Sequence, residues 1–554
     1  MVTVPPVENS CSFIFVTGGV SSSVGKGLTT ASIASLMQSM NLKVCIRKMD
    51  PYLNVDPGTM SPLQHGEVFV TDDGAESDLD LGHYERFTGI NCTRYDSVTA
   101  GRIYMNLIER ERRGDYLGAT VQVIPHVTNL IKDFIYYRAN EYDVILCEIG
   151  GTVGDIEGQP FFEAIRQVAY EIGKENVVYI HLTLAPYLHS SGELKTKPTQ
   201  HSVKTLNALG IQPDFIICRT QGICMSPSDK RKIALFCNVK EGNVIEAQDV
   251  SNVYQIPVIY KNQELDKKIS KLLGYHNLEA DVTNWLEITE KVQTLTHTKK
   301  KLSVAIIGKY SDLCDAYISI NAALKDAGYA LGVDVSVQIL CARTENLSIL
   351  SGFDAILIPG GFGLEGIEGK LAAANYARIN NIPFLGICLG FQIAVIEFAR
   401  NVLGLKDASS VEFSPECKDP VICFMHEWKT LEGSVEKRER SSQIGGTMRL
   451  GKYTCMLMEG SKARSIYKDA ESISERHRHR YEVNPSYLTQ LEERGMFFSG
   501  YSSMGKDIPE VLELREHPWF LGVQFHPEFR SSVFNPHPLF CSLLEAGLHI
   551  KKDR

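Results

Sequence analysis

The sequence lacks the features of a secreted or membrane-bound protein. Its 14 cysteines are scattered singly, with no C-x-x-C pair, so we expect reduced thiols and a cytoplasmic location. Residues 1–10 contain no basic stretch followed by a long apolar run, and Phe13–Val16 is too short to span a bilayer. We therefore predict that residues 1–10 form a peripheral extension and that the first buried strand covers Cys11–Val16.

A positive net charge and low-complexity tracts are also missing. The formal net charge is −9, and 44% of the residues are hydrophobic. This balance argues against a nucleic-acid surface and indicates that any nucleotide ligand is a small molecule. A length of 554 residues is too great for one core and predicts about two to four domains.

Short apolar runs alternate with amphipathic stretches through most of the chain, which is typical of parallel strands joined by helices. In the first half the predicted strands are Ser12–Thr17, Lys43–Arg47, Asp143–Cys147, Val177–Leu184, Asp214–Cys218 and Pro257–Tyr260. In the second half they are Leu302–Ile307, Val335–Leu340, Ala355–Ile358, Phe384–Ile387 and Leu521–Phe525. The sequence therefore predicts an α/β fold in two successive domains.

A polar segment, residues 284–301, separates the two series of strands and ends in Thr298-Lys299-Lys300-Lys301. Its apolar residues are too few for an independent core, so we predict a first domain over 11–283, a linker over 284–301 and a second domain over 302–554. The lysine run suits a solvated hinge better than a nucleotide-binding patch.

Residues 18–27 read GGVSSSVGKG, between an apolar strand and a predicted helix over Leu28–Met40. In this position backbone N–H groups and a helix N-terminus face phosphate oxygens, while Lys26 adds a positive charge. The loop departs from a strict Walker A pattern, because five residues separate Gly19 from Gly25. Gly27 also stands where a serine or threonine should bind magnesium.

Magnesium must therefore find other oxygen ligands. We predict Asp80, in an acidic stretch, and Glu148, directly after the strand Asp143–Cys147. A second basic segment, Lys195–Gln200, follows the strand Val177–Leu184. Its two lysines, its hydroxyl groups and Pro198 suit a second triphosphate, and the alternative is a charged surface turn.

Cys388 lies between the predicted buried strand Phe384–Ile387 and a helical stretch over Leu389–Ala399. Gly386 and Gly390 permit a sharp strand-to-helix turn that projects the sulfur near a helix N-terminus, which favours the thiolate. A lone cysteine at a strand end is more often a packed apolar residue.

His526 and Glu528 change that balance, because they follow directly after the predicted strand Leu521–Phe525. His526 can take the thiol proton and later protonate a leaving ammonia, while Glu528 orients the imidazole. The backbone of Pro359-Gly360-Gly361 offers N–H groups for an oxyanion. These parts together suit acyl transfer from glutamine, so a chain with both centres reads as an ATP-driven amidotransferase.

The chain resembles the CTP synthase family over nearly its whole length, and its C-terminal half resembles a class I glutamine amidotransferase domain. The resemblance rests on long segments: Asp50-Pro51-Tyr52, Asp56-Pro57-Gly58-Thr59, residues 65–70 (HGEVFV), 78–87 (DLDLGHYERF), 111–118 (ERRGDYLG), 150–157 (GGTVGDIE) and Lys195–Gln200. It implies a doubly wound, P-loop-like parallel sheet of the dethiobiotin-synthetase type, followed by an α/β glutaminase domain.

This resemblance also implies an activity in pyrimidine biosynthesis. ATP phosphorylates the 4-oxygen of UTP, and ammonia released from L-glutamine displaces phosphate to give CTP. The implied partners are Mg²⁺ with ATP, GTP as activator, CTP as feedback inhibitor and further copies of the chain in a homotetramer, with filaments in some members. No organic cofactor, nucleic acid or membrane is expected.

Residue by residue, the resemblance implies four sets of contacts. The ATP set is Ser23, Val24, Gly25, Lys26, Gly27, Leu28, Asp80, Gln248, Asp249 and Val250, and the metal set is Asp80 and Glu148. The UTP and CTP set is Ser22, Asp155, Ile156, Glu157, Lys195, Thr196, Lys197, Pro198, Thr199, Gln200 and Lys232. The glutamine set is Gly361, Leu389, Gly390, Phe391, Gln392, Glu412, Arg480 and Tyr481, beside the catalytic Cys388, His526 and Glu528. His65 and Val68 match positions that border the route between the two centres.

Two other functions stay open on the sequence. One is an ATP-dependent amidotransferase acting on a non-nucleotide carboxylate, which leaves the basic segment Lys195–Gln200 unexplained. The other is a nucleotide-switched assembly protein with relic catalytic residues, which the intact Cys388, His526 and Lys26 argue against.

Overall fold

The structure is a computed structural model that describes residues 11–190, 192–295, 298, 300–310, 313–343, 347–424, 427–429, 435–437, 448–503 and 508–553. The predicted extension, residues 1–10, lies outside the described residues. Contacts divide the chain into two compact units. The first unit comprises Met1–Pro57 and His83–Glu290, and the second comprises Gly58–Gly82 and Lys291–Arg554.

The first unit is built on a seven-stranded parallel sheet. Its strands are β1 (Ser12–Gly18), β2 (Val44–Asp50), β3 (Ser97–Thr99), β4 (Val144–Ile149), β5 (Val177–Leu184), β6 (Phe215–Thr220) and β7 (Val244–Gln248). They lie in the order β7-β6-β5-β1-β4-β2-β3. Because the chain winds outward from β1 in both directions, this is the predicted doubly wound sheet. All seven residues of β1 are buried, which explains their continuous apolar run.

Helices connect these strands. Those of eight or more residues within the first unit are Lys26–Ser39, Ala100–Arg113, Thr128–Tyr136, Gln159–Ile172, Lys197–Ala208, Pro227–Cys237 and Leu265–Leu272. Buried aromatic and aliphatic side chains, including Phe13, Phe15, Phe161 and Phe162, form the core between sheet and helices.

The second unit contains a nine-stranded mixed sheet. Its strands are β8 (Lys301–Gly308), β9 (Asp334–Cys341), β10 (Ala355–Ile358), β11 (Phe384–Ile387), β12 (Arg449–Leu457), β13 (Ser472–His479), β14 (Met496–Ser502), β15 (Pro509–Leu514) and β16 (Phe520–Val523). They lie in the order β9-β8-β10-β11-β16-β15-β14-β12-β13, parallel from β9 to β16 and antiparallel beyond. The principal helices are Ile318–Leu331, Ile367–Ile379, Leu389–Asn401 and Pro538–Asp553.

The predicted α/β class is confirmed, but one predicted strand is wrong. Pro257–Tyr260 lies inside the helix Ile256–Asn262, and the edge of the sheet is formed by β7 instead. Pro257 occupies the first helical turn, where its missing N–H leaves no hydrogen bond unmade. The run of β-branched residues after it suggested a strand that tertiary packing overrides.

The helix Thr283–Leu295 covers most of the predicted linker, residues 284–301. Trp285 in that helix is buried, and its ring stacks on those of Phe87 and Tyr254. Its indole N–H donates a hydrogen bond to Ser35 Oγ at 3.0 Å. The beginning of this segment therefore packs as part of the first unit. The domain boundaries stay a prediction.

Among the described residues, no helix is both long and apolar enough to cross a bilayer. Every cysteine whose side chain is described is a free thiol.

Candidate active sites

Cys388 occupies a sharp turn between β11 and the helix Leu389–Asn401. Its backbone is left-handed, with φ 51° and ψ −98°, a strained conformation for a residue with a side chain. The flanking glycines are required by close backbone approach. A Cβ on Gly386 would lie 2.5 Å from the carbonyl oxygen of Gly390, and one on Gly390 would lie 2.2 Å from that of Ile358. The sequence prediction of a nucleophile turn thus has a matching geometry.

His526 and Glu528 form a buried ion pair beside this turn. The Nδ1 of His526 lies 2.7 Å from Glu528 Oε1, and the ring stacks on Phe529 with centroids 5.1 Å apart. The other ring nitrogen, Nε2, has no hydrogen-bond partner within the described part of the chain. The pairing leaves Nε2 for the thiol of Cys388.

The electrostatic balance favours a charged imidazole. Burial lowers the pKa of His526, but the charges of Glu528 and Cys388 outweigh it and raise the pKa from 6.5 to about 10. The imidazole therefore carries a proton at neutral pH, which it can donate to a leaving group.

Cys388 and His526 line a cavity of about 440 Å³ within the second unit, together with Gly360, Gly361 and Arg480. A Cβ on Gly360 would lie 2.6 Å from His526 Cε1. Only a glycine therefore lets this backbone pass so close to the imidazole.

Two of the predicted glutamine-binding residues, Gly361 and Arg480, line this cavity. Gln392 Nε2 donates to the Tyr481 carbonyl at 3.0 Å, and the Arg480 guanidinium lies 5.9 Å from the centre of the Phe362 ring. Glu412 Oε1 accepts the N–H of Gly363 at 2.9 Å, and burial raises the pKa of Glu412. The remaining predicted residues, at the start of the following helix, are Leu389, Gly390 and Phe391.

Sequence reasoning missed two cations of this cavity, Lys309 and Arg478. Lys309 Nζ donates to the Phe362 carbonyl at 3.0 Å, and the Arg478 guanidinium lies 5.1 Å from the centre of the Phe362 ring. The position of Lys309 directly after β8 was the available signal, since residues at the carboxyl ends of parallel strands face ligands.

In the first unit, the loop 18–27 connects β1 to the helix Lys26–Ser39. Gly25 is left-handed, with φ 98°, and Lys26 Nζ donates to the Gly151 carbonyl at 2.6 Å. A Cβ on Gly19 would lie only 1.6 Å from Ser202 Oγ. The loop is therefore fitted tightly against the helix Lys197–Ala208.

Arg219, at the end of β6, joins two of the predicted ATP segments. It donates to the Ser23 carbonyl at 3.0 Å and to Asp249 Oδ1 at 2.7 Å. Gln248 and Val250 flank Asp249, and Gln248 Nε2 lies 3.1 Å from Glu246 Oε1. The remaining predicted ATP contacts within the loop are Val24, Gly27 and Leu28. Arg219 went unnoticed in the sequence because a single arginine after a strand carries no motif.

Glu148 is 1% exposed at the end of β4. It accepts from Lys48 Nζ at 2.9 Å and from the hydroxyl of Tyr84. Asp80 begins the helix Asp80–Thr88 and groups with the second unit. Within the described residues, no cluster of three or more His, Cys, Asp or Glu side chains is arranged to hold a metal.

The second basic segment forms the start of the helix Lys197–Ala208. Thr199 and Gln200 are buried, and Thr199 Oγ1 lies 3.0 Å from Thr183 Oγ1. Lys195 pairs with Glu193, whose pKa is lowered by that bond and by the charge of nearby Lys232. The hydroxyl and amide side chains of the segment are thus packed in the first unit while its lysines lie nearer the surface, and its ligand stays a prediction.

The other predicted nucleotide contacts lie on the surface of the first unit or at a helix start. Lys197 Nζ lies 5.6 Å from the centre of the Phe236 ring, and Asp155 accepts the N–H of Thr152 at 2.9 Å. Ile156 is 81% exposed, an unusual state for an isoleucine. The remaining members are Ser22 and Glu157, both exposed, Thr196, which is buried, and Pro198, in the first helical turn.

The chain is similar to known proteins over both units. The family model described as CTP synthase N-terminus matches residues 12–275, and the one described as glutamine amidotransferase class-I matches residues 312–546. The CTP synthase of Neorickettsia sennetsu is 72% identical over 541 residues, which cover 98% of this chain and 99% of that protein. The CTP synthase of Maricaulis maris is 54% identical over 542 residues, 97% of this chain and 98% of that protein.

The chain is also similar to solved structures. The Trypanosoma brucei CTPS glutaminase domain with bound acivicin is 34% identical, covers 45% of this chain and 94% of that chain, and has a TM-score of 0.40. The likeness to the two full-length relatives therefore extends over both units.

Proposed function

Because the chain belongs to the CTP synthase family, we propose that it is an ATP-dependent ligase that converts UTP to CTP with nitrogen from glutamine. The observation that carries the glutaminase half is the buried His526–Glu528 pair facing the strained Cys388 in one cavity. The synthetase half is supported by the tightly fitted phosphate loop beside a second basic helix start.

In the second unit, the Cys388 thiolate attacks the side-chain amide carbon of glutamine. The N–H groups of the Gly360–Gly361 backbone stabilise the oxyanion of the tetrahedral intermediate. His526 donates its proton to the leaving nitrogen, ammonia departs, and a thioester forms. His526 then removes a proton from the water that hydrolyses the thioester, which yields glutamate and frees the thiol. Glu528 keeps the imidazole oriented throughout.

The charges of Arg480 and Glu412 match the two charged groups of glutamine. Arg480 binds the α-carboxylate, since a guanidinium pairs with a carboxylate through two hydrogen bonds. Glu412 binds the α-ammonium, and the charge of that cation would lower the pKa of the carboxyl group, which burial raises.

In the first unit, Lys26 and the backbone of the loop 18–27 hold the ATP phosphates. The segment Lys195–Gln200, with Lys232, holds the UTP triphosphate. Transfer of the γ-phosphoryl group to the 4-oxygen of UTP turns a poor leaving group into a phosphate ester. Ammonia then adds at C4 and phosphate departs, giving CTP.

Magnesium is the metal that this donor set fits, because Glu148 offers a buried carboxylate and Mg²⁺ in nucleotide sites takes about one or two protein carboxylates. Glu148 would hold the ion, which would neutralise charge on the triphosphate, and Asp80 stays a predicted ligand. We keep GTP activation, CTP inhibition, a homotetramer and a cytoplasmic location as parts of the same proposal.

An isotope experiment tests the proposed reaction. UTP labelled with ¹⁸O at the 4-position is incubated with ATP, Mg²⁺ and ammonium chloride, and the inorganic phosphate is analysed by mass spectrometry. We expect one ¹⁸O atom in the released phosphate for each CTP formed. CTP formation with unlabelled phosphate would contradict activation by phosphorylation, and no CTP would contradict the substrate assignment.

A further inference from the structure

A segment from the first half of the sequence packs into the second unit. Residues Gly58–Gly82, here called the inserted segment, cluster with the C-terminal chain. The segment contains a short hairpin, in which Phe69–Val70 pairs antiparallel with Glu76–Ser77. The mechanism derived above uses none of the carboxylates on this hairpin.

Two glycines allow the hairpin to lie directly on β12. A Cβ on Gly451 would lie 2.7 Å from the Gly74 nitrogen, and one on Gly74 would lie 2.9 Å from the Leu450 carbonyl oxygen. Lys452 N also donates to the Asp72 carbonyl at 2.9 Å. The contact is therefore made between backbone atoms, and it sets the distance between the hairpin and β12.

Asp72, at the hairpin turn, binds Arg476 of β13. The guanidinium Nε donates to Asp72 Oδ1 at 2.6 Å, and Nη1 donates to the Phe529 carbonyl at 3.3 Å. The Arg476 side chain is 1% exposed. Burial would raise the pKa of Asp72, but Arg476, Arg530 and Lys452 lower it below the ordinary value, so the carboxylate stays ionised.

Glu76, in the second strand of the hairpin, binds the next arginine on the same face of β13. Arg478 Nε donates to Glu76 Oε1 at 2.7 Å, and Nη2 donates to the Gly58 carbonyl at 3.0 Å. The Glu76 side chain is 3% exposed. Arg478 in turn lies against Phe362, whose neighbours Gly360 and Gly361 line the glutaminase cavity.

The same two arginines contact the catalytic residues through their main chain. The Arg476 carbonyl accepts the backbone N–H of His526 at 2.8 Å, and the Arg478 carbonyl lies 3.6 Å from Cys388 Sγ. A shift of β13 would therefore move the base and the nucleophile together. Asp72 and Glu76, which bind the side chains of Arg476 and Arg478 in this strand, belong to the inserted segment.

We propose that Asp72 and Glu76 are positioning residues for glutamine hydrolysis: they clamp Arg476 and Arg478, and through these hold Cys388 and His526 at reacting distance. The proposal rests on the proposed glutaminase activity. A carboxylate is required at both positions because each pairs with an arginine in a largely buried place.

The test compares Glu76→Gln with the matched control Glu471→Gln. The Glu76→Gln change keeps the shape of the side chain and removes its charge. Glu471 also faces an arginine, Arg464 at 3.7 Å, but its side chain is 83% exposed beside β13. For Glu76→Gln we expect kcat for glutamine hydrolysis to fall by about tenfold or more, because small displacements of reacting groups are costly. The control should stay within about twofold.

Three further readouts separate positioning from general support of the fold. Ammonia-dependent CTP formation should be unchanged in Glu76→Gln. Alkylation of Cys388 by iodoacetamide at neutral pH should become slower, since the Arg478 carbonyl beside the sulfur and His526 beside it would be displaced. In the double variant with Arg478→Gln, the loss should be no larger than in Arg478→Gln alone, because the two side chains act as one unit.

Wild-type kinetics and an unchanged rate of Cys388 alkylation in Glu76→Gln would overturn the proposal. So would an equal loss of glutamine-dependent and ammonia-dependent synthesis, which would show a defect of the whole fold. Failure of the proposed function is distinguishable, because the wild-type chain would then not hydrolyse glutamine at all.

Discussion

At the residue scale, the glutaminase centre depends on keeping a positive charge in a buried place. His526 is 7% exposed and Glu528 4% exposed. Burial lowers the pKa of His526. The charges of Glu528 and Cys388 together reverse the sign of that shift, so the imidazole keeps its proton.

The pH dependence of stability tests this pairing. The pKa of His526 rises from 6.5 to about 10 on folding, so its stabilising contribution is complete below pH 6.5 and is lost as pH rises through 10. Glu528→Gln should therefore destabilise the protein by about 1–3 kcal/mol at pH 6 and by much less at pH 10. Guanidinium unfolding midpoints of both proteins at the two pH values give the comparison, and an equal loss at both would refute the charged pair.

The proposed nucleophile and base share a signal in the sequence, because each follows a short apolar strand. Cys388 and His526 stand directly after predicted strands, and a local pattern was enough to propose them. Arg219 and Arg478 could not be found in this way. Arg219 meets Ser23 across 196 residues, and Arg478 meets Glu76 across 402. Only the folded chain brings such partners together.

At the element scale, the phosphate loop is held by the helix Lys197–Ala208. Thr17 and Ser202 both lie 2.8 Å from the buried ring of His181, which connects the end of β1 to that helix. Burial and the charge of Lys26 lower the pKa of His181 to about 3, so the ring is neutral and links the two hydroxyls. The two predicted triphosphate sites thus share one packed contact.

Gly19→Ala tests this contact, because the added methyl group would lie 1.6 Å from Ser202 Oγ. The loop must move, so we expect KM for ATP to rise by about tenfold or more in ammonia-dependent CTP synthesis, with glutamine hydrolysis retained. The double variant Gly19→Ala with Ser202→Ala removes the oxygen and should recover part of the loss. An unchanged KM for ATP in the single variant would contradict this fit.

The elements themselves differ in how far the sequence predicts them. Buried parallel strands such as β1 and β11 are continuous apolar runs and were found. The antiparallel strands β12 to β15 were not: β12, β13 and β15 carry charged residues that are typical of loops, and β14 is interrupted by Ser499 and Gly500. Arg449 in β12 and Glu510 in β15 are fully buried and form an ion pair at 2.5 Å. These charged residues therefore lie in the core, which the periodicity of the sequence does not reveal.

At the scale of the whole molecule, the two centres lie in different compact units. The family, the α/β fold and the class of enzyme predicted from the sequence are confirmed by the relatives and the two family models. The individual ligand contacts stay predictions, because their recognition rests on resemblance alone.

Lys26→Ala should impair the ATP-dependent centre and leave the glutaminase centre active. Loss of the ammonium group from the phosphate loop should lower CTP formation by about a hundredfold or more with either nitrogen source. Glutamate release in the absence of nucleotides should stay near the wild-type rate, since Cys388 and His526 are untouched. A variant that keeps CTP synthesis from ammonia would refute the assignment of Lys26 to ATP.

The most direct test of two cooperating centres is CTP formation from UTP, ATP and Mg²⁺, measured with glutamine and with ammonium chloride for the wild type and Cys388→Ala. We expect CTP from both nitrogen sources in the wild type and only from ammonia in the variant. Loss of the ammonia reaction in Cys388→Ala would contradict the separation of the centres, and CTP from glutamine in that variant would contradict the role of the thiol.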